Sequence, residues 1–174
     1  ALRAVLVGAE LTDQLKGRGF GLLATGEMGI GNTTTSAAVL AALTGASVEE
    51  VTGRGGGLTD RGFATKKRVL RQALALHHPD PGDPVAVLAA VGGLDIAAMT
   101  GLFLGCAHEG LAAAVDGYIS IVAALCAVRL CPRVRDYLFL SHVSYEIGYR
   151  LAARELGLEP CLLLGMRLGE GSGC

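Results

Sequence analysis

The chain has 174 residues, 51% of them hydrophobic and 18% charged, with a net charge of −1 and a mean hydropathy of +0.48. That length supports one domain, or a large piece of one, with a real core. Without a basic block, a long apolar span or a leader pattern, the composition argues against nucleic-acid and membrane partners.

From the N-terminus, Leu2, Val5, Leu6 and Ala9 fall on one helical face, and glycines at 17 and 19 end that helix. An apolar run at 20–24 reads as a buried strand. It leads into the loop 26–35, GEMGIGNTTT, and a helix follows over 34–43. A strand, a glycine loop and a helix start together make an anion cradle. The first helix amides lack internal partners, and the helix dipole favours negative charge there. Gly26 and Gly31 occupy the glycine positions of the P-loop pattern, but Asn32 stands where its lysine belongs and Glu27 sits inside the loop. The loop therefore suits a monophosphate beside a polar group, and the NTPase reading is rejected.

Gly53-Arg54-Gly55-Gly56-Gly57 is a flexible turn, with Thr59 or Asp60 capping a helix that carries Lys66, Lys67 and Arg68. Asp83 and Pro84 supply a cap and first turn, and 85–91 and 94–106 read as two helices broken by Gly92-Gly93. A strand is predicted at 111–115, ending in Asp116-Gly117. A helix over 119–130 stops at Pro132, and a strand at 137–140 ends at Ser141-His142. A helix over 144–156 and a fourth apolar run at 161–164 complete the pattern. Alternating strands and helices predict an α/β, Rossmann-like fold with a mostly parallel sheet and helices on both faces, as one domain over 1–174. Glu27, Asn32, Asp116, His142, Ser144 and Glu170 all follow strands, so they should share the rim beyond the carboxyl ends.

Each candidate has an ordinary structural reading. Glu170 is a solvated loop carboxylate or a general base in a partly apolar pocket. Glu27 has the same two readings. Asn32 and Thr33 serve as helix caps with or without a ligand. Lys66 on a helix face is usually solvated, and only the neighbouring glycine turn suggests a phosphate contact. Asp116 is a turn former or a ribose ligand. His142 is a catalytic base or, more commonly, a strand-end histidine satisfied by carbonyls. Cys106, Cys126, Cys131, Cys161 and Cys174 form no C-x-x-C pair and no zinc pattern, which fits free thiols in a reducing cytoplasm. No metal or other cofactor is predicted.

Three segments in this order resemble one family closely: 26–34 (GEMGIGNTT), 91–101 (VGGLDIAAMTG) and 165–173 (GMRLGEGSG). With 115–120 (VDGYIS) and 136–142 (DYLFLSH), they resemble nicotinate-nucleotide–dimethylbenzimidazole phosphoribosyltransferases over essentially the whole chain. The resemblance implies transfer of phosphoribose from nicotinate mononucleotide to 5,6-dimethylbenzimidazole in cobalamin nucleotide-loop assembly. It implies that Glu170 is the general base, that Glu27 lies near the reacting region and that Leu168 lines the base pocket. It implies that the glycine loop (Met28, Gly29, Gly31, Asn32, Thr33) holds the nucleotide, and that Lys66, Asp116, Gly117 and Ser144 lie on the nucleotide and its phosphate. It also implies a homodimer acting on small molecules. The segment 144–149 (SYEIGY) and Ala64-Thr65-Lys66-Lys67 depart from the usual family pattern around the phosphate. Family members carry a segment before Ala1 and helices after LGEGSG, so the chain matches the core of a large domain. The alternative is a truncated, non-catalytic nucleotide-binding or assembly module of the same fold.

Overall fold

The computed structural model describes residues 1–166 and 170–174. The site rests on three short strands, β1 (Leu22–Ala24), β2 (Ala112–Val115) and β3 (Leu138–Leu140), paired in parallel in the order β1-β2-β3. Ala24, Ala114 and Phe139 stand side by side in register. Parallel neighbours need crossover helices. Here these are α2 (Asn32–Thr44), α3 (Val48–Val51), α4 (Asp60–His77), α5 (Pro84–Val91) and α6 (Leu94–Glu109) between β1 and β2, then α7 (Tyr118–Leu130) and a 3₁₀ turn (Pro132–Tyr137) between β2 and β3. Helix α1 (Leu2–Gly17) precedes the sheet and α8 (Tyr149–Leu156) follows it. The segment around Leu162 adds one further parallel bridge, to His142. None of the described helices is long and apolar enough to cross a membrane.

Helix α7 is the middle of the core. Every residue from 118 to 127 is buried, so its sequence, apolar all round, shows no amphipathic stripe. Its neighbours include Leu40 of α2, Phe103 of α6 and Leu140 of β3, all fully buried in the same cluster. The two sheet faces are unequally covered. Leu23, Ala113, Val115, Leu138 and Leu140 are buried, while Leu22 and Phe139 on the opposite face are 57% and 55% exposed. The run at 20–24 is therefore an edge strand with Leu23 inward, where the sequence suggested a buried one.

Helix α1 corrects a second expectation. It buries Val5, Gly8 and Thr12 and leaves Leu2 and Leu6 exposed. The reason is close backbone contact with α6. A Cβ on Gly8 would lie 1.9 Å from the Ala98 carbonyl oxygen, and one on Gly101 would lie 1.8 Å from that of Val5. Thr12 Oγ1 donates to the carbonyls of Gly8 and Leu102 at 3.1 and 3.3 Å, which removes its polar cost in the seam.

The caps explain where helices begin. Asp83 accepts from the amides of Val85 and Ala86 at 3.0 Å, with Pro84 in the first turn, and Thr59 accepts from Gly62 at 3.2 Å. The predicted helix over 144–156 is shorter, with α8 starting at Tyr149. Gly148 sits so close to the Tyr118 ring that a Cβ would come within 2.7 Å of its hydroxyl oxygen. Packing thus holds the segment before α8 as a loop against α7 and α2.

Candidate active site

All three strands end at the same edge, so the loops after them converge there. The loop after β1 carries Glu27, the loop after β2 carries Asp116 and Gly117, and the loop after β3 carries His142, Ser144 and Glu146. The C-terminal segment brings Glu170 back across this edge. Its amide donates to the Glu27 carbonyl at 3.1 Å. Gly26 makes that closure possible, because a Cβ there would lie 2.8 Å from the Gly171 nitrogen and 2.9 Å from the Glu170 carbonyl carbon. Glu170 itself adopts φ +64°, a left-handed conformation uncommon outside glycine.

Between these loops lies a cavity of about 220 Å³. Glu27, Met28, Gly29, Thr33, Gly117, Ser144 and Glu170 of the predicted set reach its wall, beside Gly55, Gly56, His142, Glu146 and Met166. The cavity wall thus carries the carboxylates of Glu27, Glu146 and Glu170 together with the Gly55-Gly56 backbone and Thr33, and Glu146 lies against the glycine turn, where a Cβ on Gly53 would be 1.8 Å from its Oε2. Lys66 stands just behind Thr33. It is buried at 7% exposure and donates to Thr33 Oγ1 at 2.9 Å and to the Gly53 carbonyl at 3.0 Å. Burial lowers its pKa, an effect partly opposed by the Glu146 carboxylate nearby.

Glu27 is tightly held. Its Oε2 accepts from the Gly29 amide at 2.6 Å and from Asn32 Nδ2 at 2.5 Å. The same Asn32 amide group donates to Asp95 Oδ2 at 3.0 Å, so Asn32 bridges two carboxylates. Asn32 is therefore not the helix cap expected from its type. Gly31 takes that place at φ +76° with no side-chain cap, and Asn32 is the first residue of α2. Asn32 faces a second recess of about 360 Å³ on the other side of the loop, lined also by Glu27, Ile30, Asp95 and Met99. Gly31 lines neither recess.

Asp116 behaves differently from the rest. It is 1% exposed, and its two oxygens accept from the Gly171 and Gly173 amides at 2.9 and 3.0 Å. It does not line the cavity. Leu168 lies outside the described residues. Sequence reasoning missed Glu146, Tyr118, Met166, Gly55 and Gly56 as cavity residues and set His142 aside. Glu146 Oε2 is buried without a hydrogen-bond partner among the described residues. Its position a few residues after the strand-end Ser-His pair was the available signal. The helical expectation for that segment concealed it.

A parallel sheet whose carboxylates, buried lysine and glycine turns gather at its carboxyl edge defines an α/β protein with a polar rim site. The sequence matches the phosphoribosyltransferase family model over residues 1–174, and the chain belongs to the nicotinate-nucleotide–dimethylbenzimidazole phosphoribosyltransferase family. It is 51% identical over its whole length to the enzyme of that name from Clostridium perfringens, covering 48% of that protein. It is 52% identical to the enzyme of that name from Geobacter sulfurreducens over 99% of the chain, covering 49% of that protein. The crystal structure of CobT from Thermus thermophilus superposes with a TM-score of 0.93 at 43% identity, over 98% of this chain and 51% of that one. The chain thus spans about half the length of the relatives it matches. The parallel α/β architecture agrees with the one expected from sequence.

Proposed function

We propose that the protein transfers phosphoribose from nicotinate mononucleotide to 5,6-dimethylbenzimidazole, giving α-ribazole phosphate and nicotinate in cobalamin nucleotide-loop assembly. The bond from the anomeric carbon to the pyridinium nitrogen breaks, and its electron pair neutralises the departing nicotinate ring. One benzimidazole nitrogen supplies the pair for the new bond, and the proton on the other nitrogen passes to a base. Glu170 is that base, and Glu27, already fixed by Gly29 and Asn32, steadies the cationic sugar. Met28, Gly29 and Thr33, which line the cavity, hold the nucleotide, and Asn32 acts through the Glu27 carboxylate to which it donates. Lys66, Gly117 and Ser144 serve its phosphate.

The observation that carries this reading is one cavity lined by Glu27 and Glu170 and also by Thr33, Gly55 and Gly56, with Lys66 bonded to Thr33. Anionic carboxylates suit the cationic reacting centre, and a lysine beside a glycine turn suits a phosphate ester. The exposed Leu2, Leu6, Val7 and Leu11 of α1 support the homodimer of the family reading, and the free cysteines fit the reducing cytoplasm read from the cysteine pattern.

The test incubates the purified protein with both substrates and separates α-ribazole phosphate chromatographically. Product formation that falls steeply in Glu170→Gln supports the assignment. Product undiminished in that variant overturns the role of Glu170. A second reading is a nucleotide-binding module without turnover, in which the same cavity holds the nucleotide. Nicotinate mononucleotide binding by calorimetry, with no product in the assay, would favour it.

A further inference from the structure

We infer that Asp116 is a positioning residue: it holds the loop that carries Glu170 through a buried two-point clamp and contacts no substrate. The inference rests on the proposed role of Glu170 as base. Asp116 directly follows β2, the middle strand, which is paired with β1 on one side and β3 on the other. Its own amide donates to Ser120 Oγ at 3.1 Å, and that hydroxyl lies 2.5 Å from Thr25 Oγ1 at the end of β1. The carboxylate is thus built on a rigid platform. Oδ2 accepts from the Gly171 amide at 2.9 Å and Oδ1 from the Gly173 amide at 3.0 Å. These are the residues that follow Glu170.

Nothing else on that side leaves slack. His142, 2% exposed, lies with Nδ1 3.7 Å from Asp116 Oδ1 and 3.0 Å from Ser141 Oγ, while that hydroxyl donates to the Val115 carbonyl at 2.8 Å. A Cβ on Gly173 would meet His142 Nδ1 at 2.0 Å and Asp116 Oδ1 at 2.7 Å, so only glycine lets the loop seat this deeply. From the other side, the Glu170 amide is fastened to the Glu27 carbonyl at 3.1 Å. The clamp therefore fixes the base against the loop of the second carboxylate. It also gives a buried anion two donors, which its desolvation requires. An asparagine keeps one acceptor oxygen and turns an NH₂ group toward the other amide, so it can hold one of the two contacts at most.

The test pairs Asp116→Asn with amide hydrogen exchange and steady-state kinetics of the protein. Exchange at Gly171 and Gly173 should accelerate by about tenfold or more as the local opening becomes easier. Turnover should fall by about 10- to 100-fold, the usual scale for losing a group that orients another, with KM for nicotinate mononucleotide within about twofold. Adding Asp116→Asn to Glu170→Gln should lower kcat no further, because both act through one group. Gly173→Ala approaches the clamp from the loop side, leaves the carboxylate in place and should reproduce the kcat loss if Asp116→Asn does not fold. A raised KM at unchanged kcat would make Asp116 a nucleotide ligand and overturn the inference, as would unaltered exchange at both glycines. If the wild-type protein transfers nothing, the proposed reaction fails, and the exchange measurement alone decides the clamp.

Discussion

Lys66 donates to Thr33 Oγ1 at 2.9 Å, so a side chain from α4 closes on the first turn of the helix that follows the glycine loop. The Gly53 carbonyl takes a second donor at 3.0 Å, and an ammonium has three. A Cβ on Gly55 would lie 2.9 Å from the same Thr33 oxygen. Helix start, glycine turn and lysine are therefore one unit, with Thr33 and Gly55 on the cavity wall and the ammonium behind them.

The phosphate contact proposed for Lys66 predicts nucleotide binding that depends on pH in a defined direction. Burial lowers the Lys66 pKa, with Glu146 opposing. Between that lowered value and the ordinary one, the unfolded chain holds more protons, so the lysine's burden on stability shrinks as pH rises through the lowered pKa. Phosphate binding runs the other way, because an incoming anion favours the charged ammonium. Affinity for nicotinate mononucleotide should weaken as pH climbs through the same range, with proton uptake seen by calorimetry in buffers of different ionisation enthalpy. Lys66→Met should remove the proton uptake and weaken binding by about 10- to 100-fold, the worth of one charged hydrogen bond. Uptake that persists in the variant would assign it to another group.

Gly26→Ala tests whether the contact between the two carboxylate loops matters for turnover. The added methyl meets backbone atoms of Glu170 and Gly171 at 2.8 to 3.1 Å, and backbone cannot swing aside as a side chain can. Glu170 should be displaced by a fraction of an ångström to an ångström. Misplacement on that scale costs up to about 100-fold in rate. The loop lies at the rim, outside the buried cluster, so thermal unfolding should change little. A full rate in this variant would show that the two loops need no such contact.

The parallel α/β plan was legible because β2 and β3 each end in a visible turn signal: Val115 runs into Asp116-Gly117, and Leu140 into Ser141-His142. Caps at Thr59 and Asp83 read correctly for the same local reason. Helix α3 was equally legible and was missed. Ser47 and Glu50 form a full capping box, the S-x-x-E pattern. What could not be read was long-range. The clamp of Asp116 on Gly171 and Gly173 spans 55 and 57 positions, and an aspartate before glycine looks like any turn. The inward face of α1 was hidden because glycines at 8, 101 and 105, poor helix formers taken alone, create the seam that buries Thr12.

The cysteines separate by environment. Burial pushes the Cys106 thiol up to about 11 and the Cys126 thiol to about 12, so thiolate is scarce at neutral pH and both sulfurs are covered. Cys161 is exposed. Titration of the native protein with a thiol reagent near pH 8 should modify Cys161 promptly and spare Cys106 and Cys126 until denaturant is added. Mass mapping that finds Cys126 labelled as fast as Cys161 would mean that α7 opens in the native state.

Gly101→Ala asks which wins in the α1–α6 seam, helix propensity or space. Alanine is favoured over glycine in a helix interior by about 0.8–1.0 kcal/mol. Against that, the new methyl would sit 1.8 Å from the Val5 carbonyl oxygen and 2.6 Å from its carbon, so α1 must shift as a body. Overpacking of this kind costs about 1–3 kcal/mol, occasionally more, and here the obstacle is backbone, which places the cost at the upper end. Separation would also disturb Thr12, whose hydroxyl depends on the Leu102 carbonyl across the seam. Space should win. A net loss of about 1–2 kcal/mol lowers the melting temperature by roughly 2–8 °C in a chain of this size. A melting temperature that rises in this variant would show that the helices part without penalty and that the glycine is there for another reason.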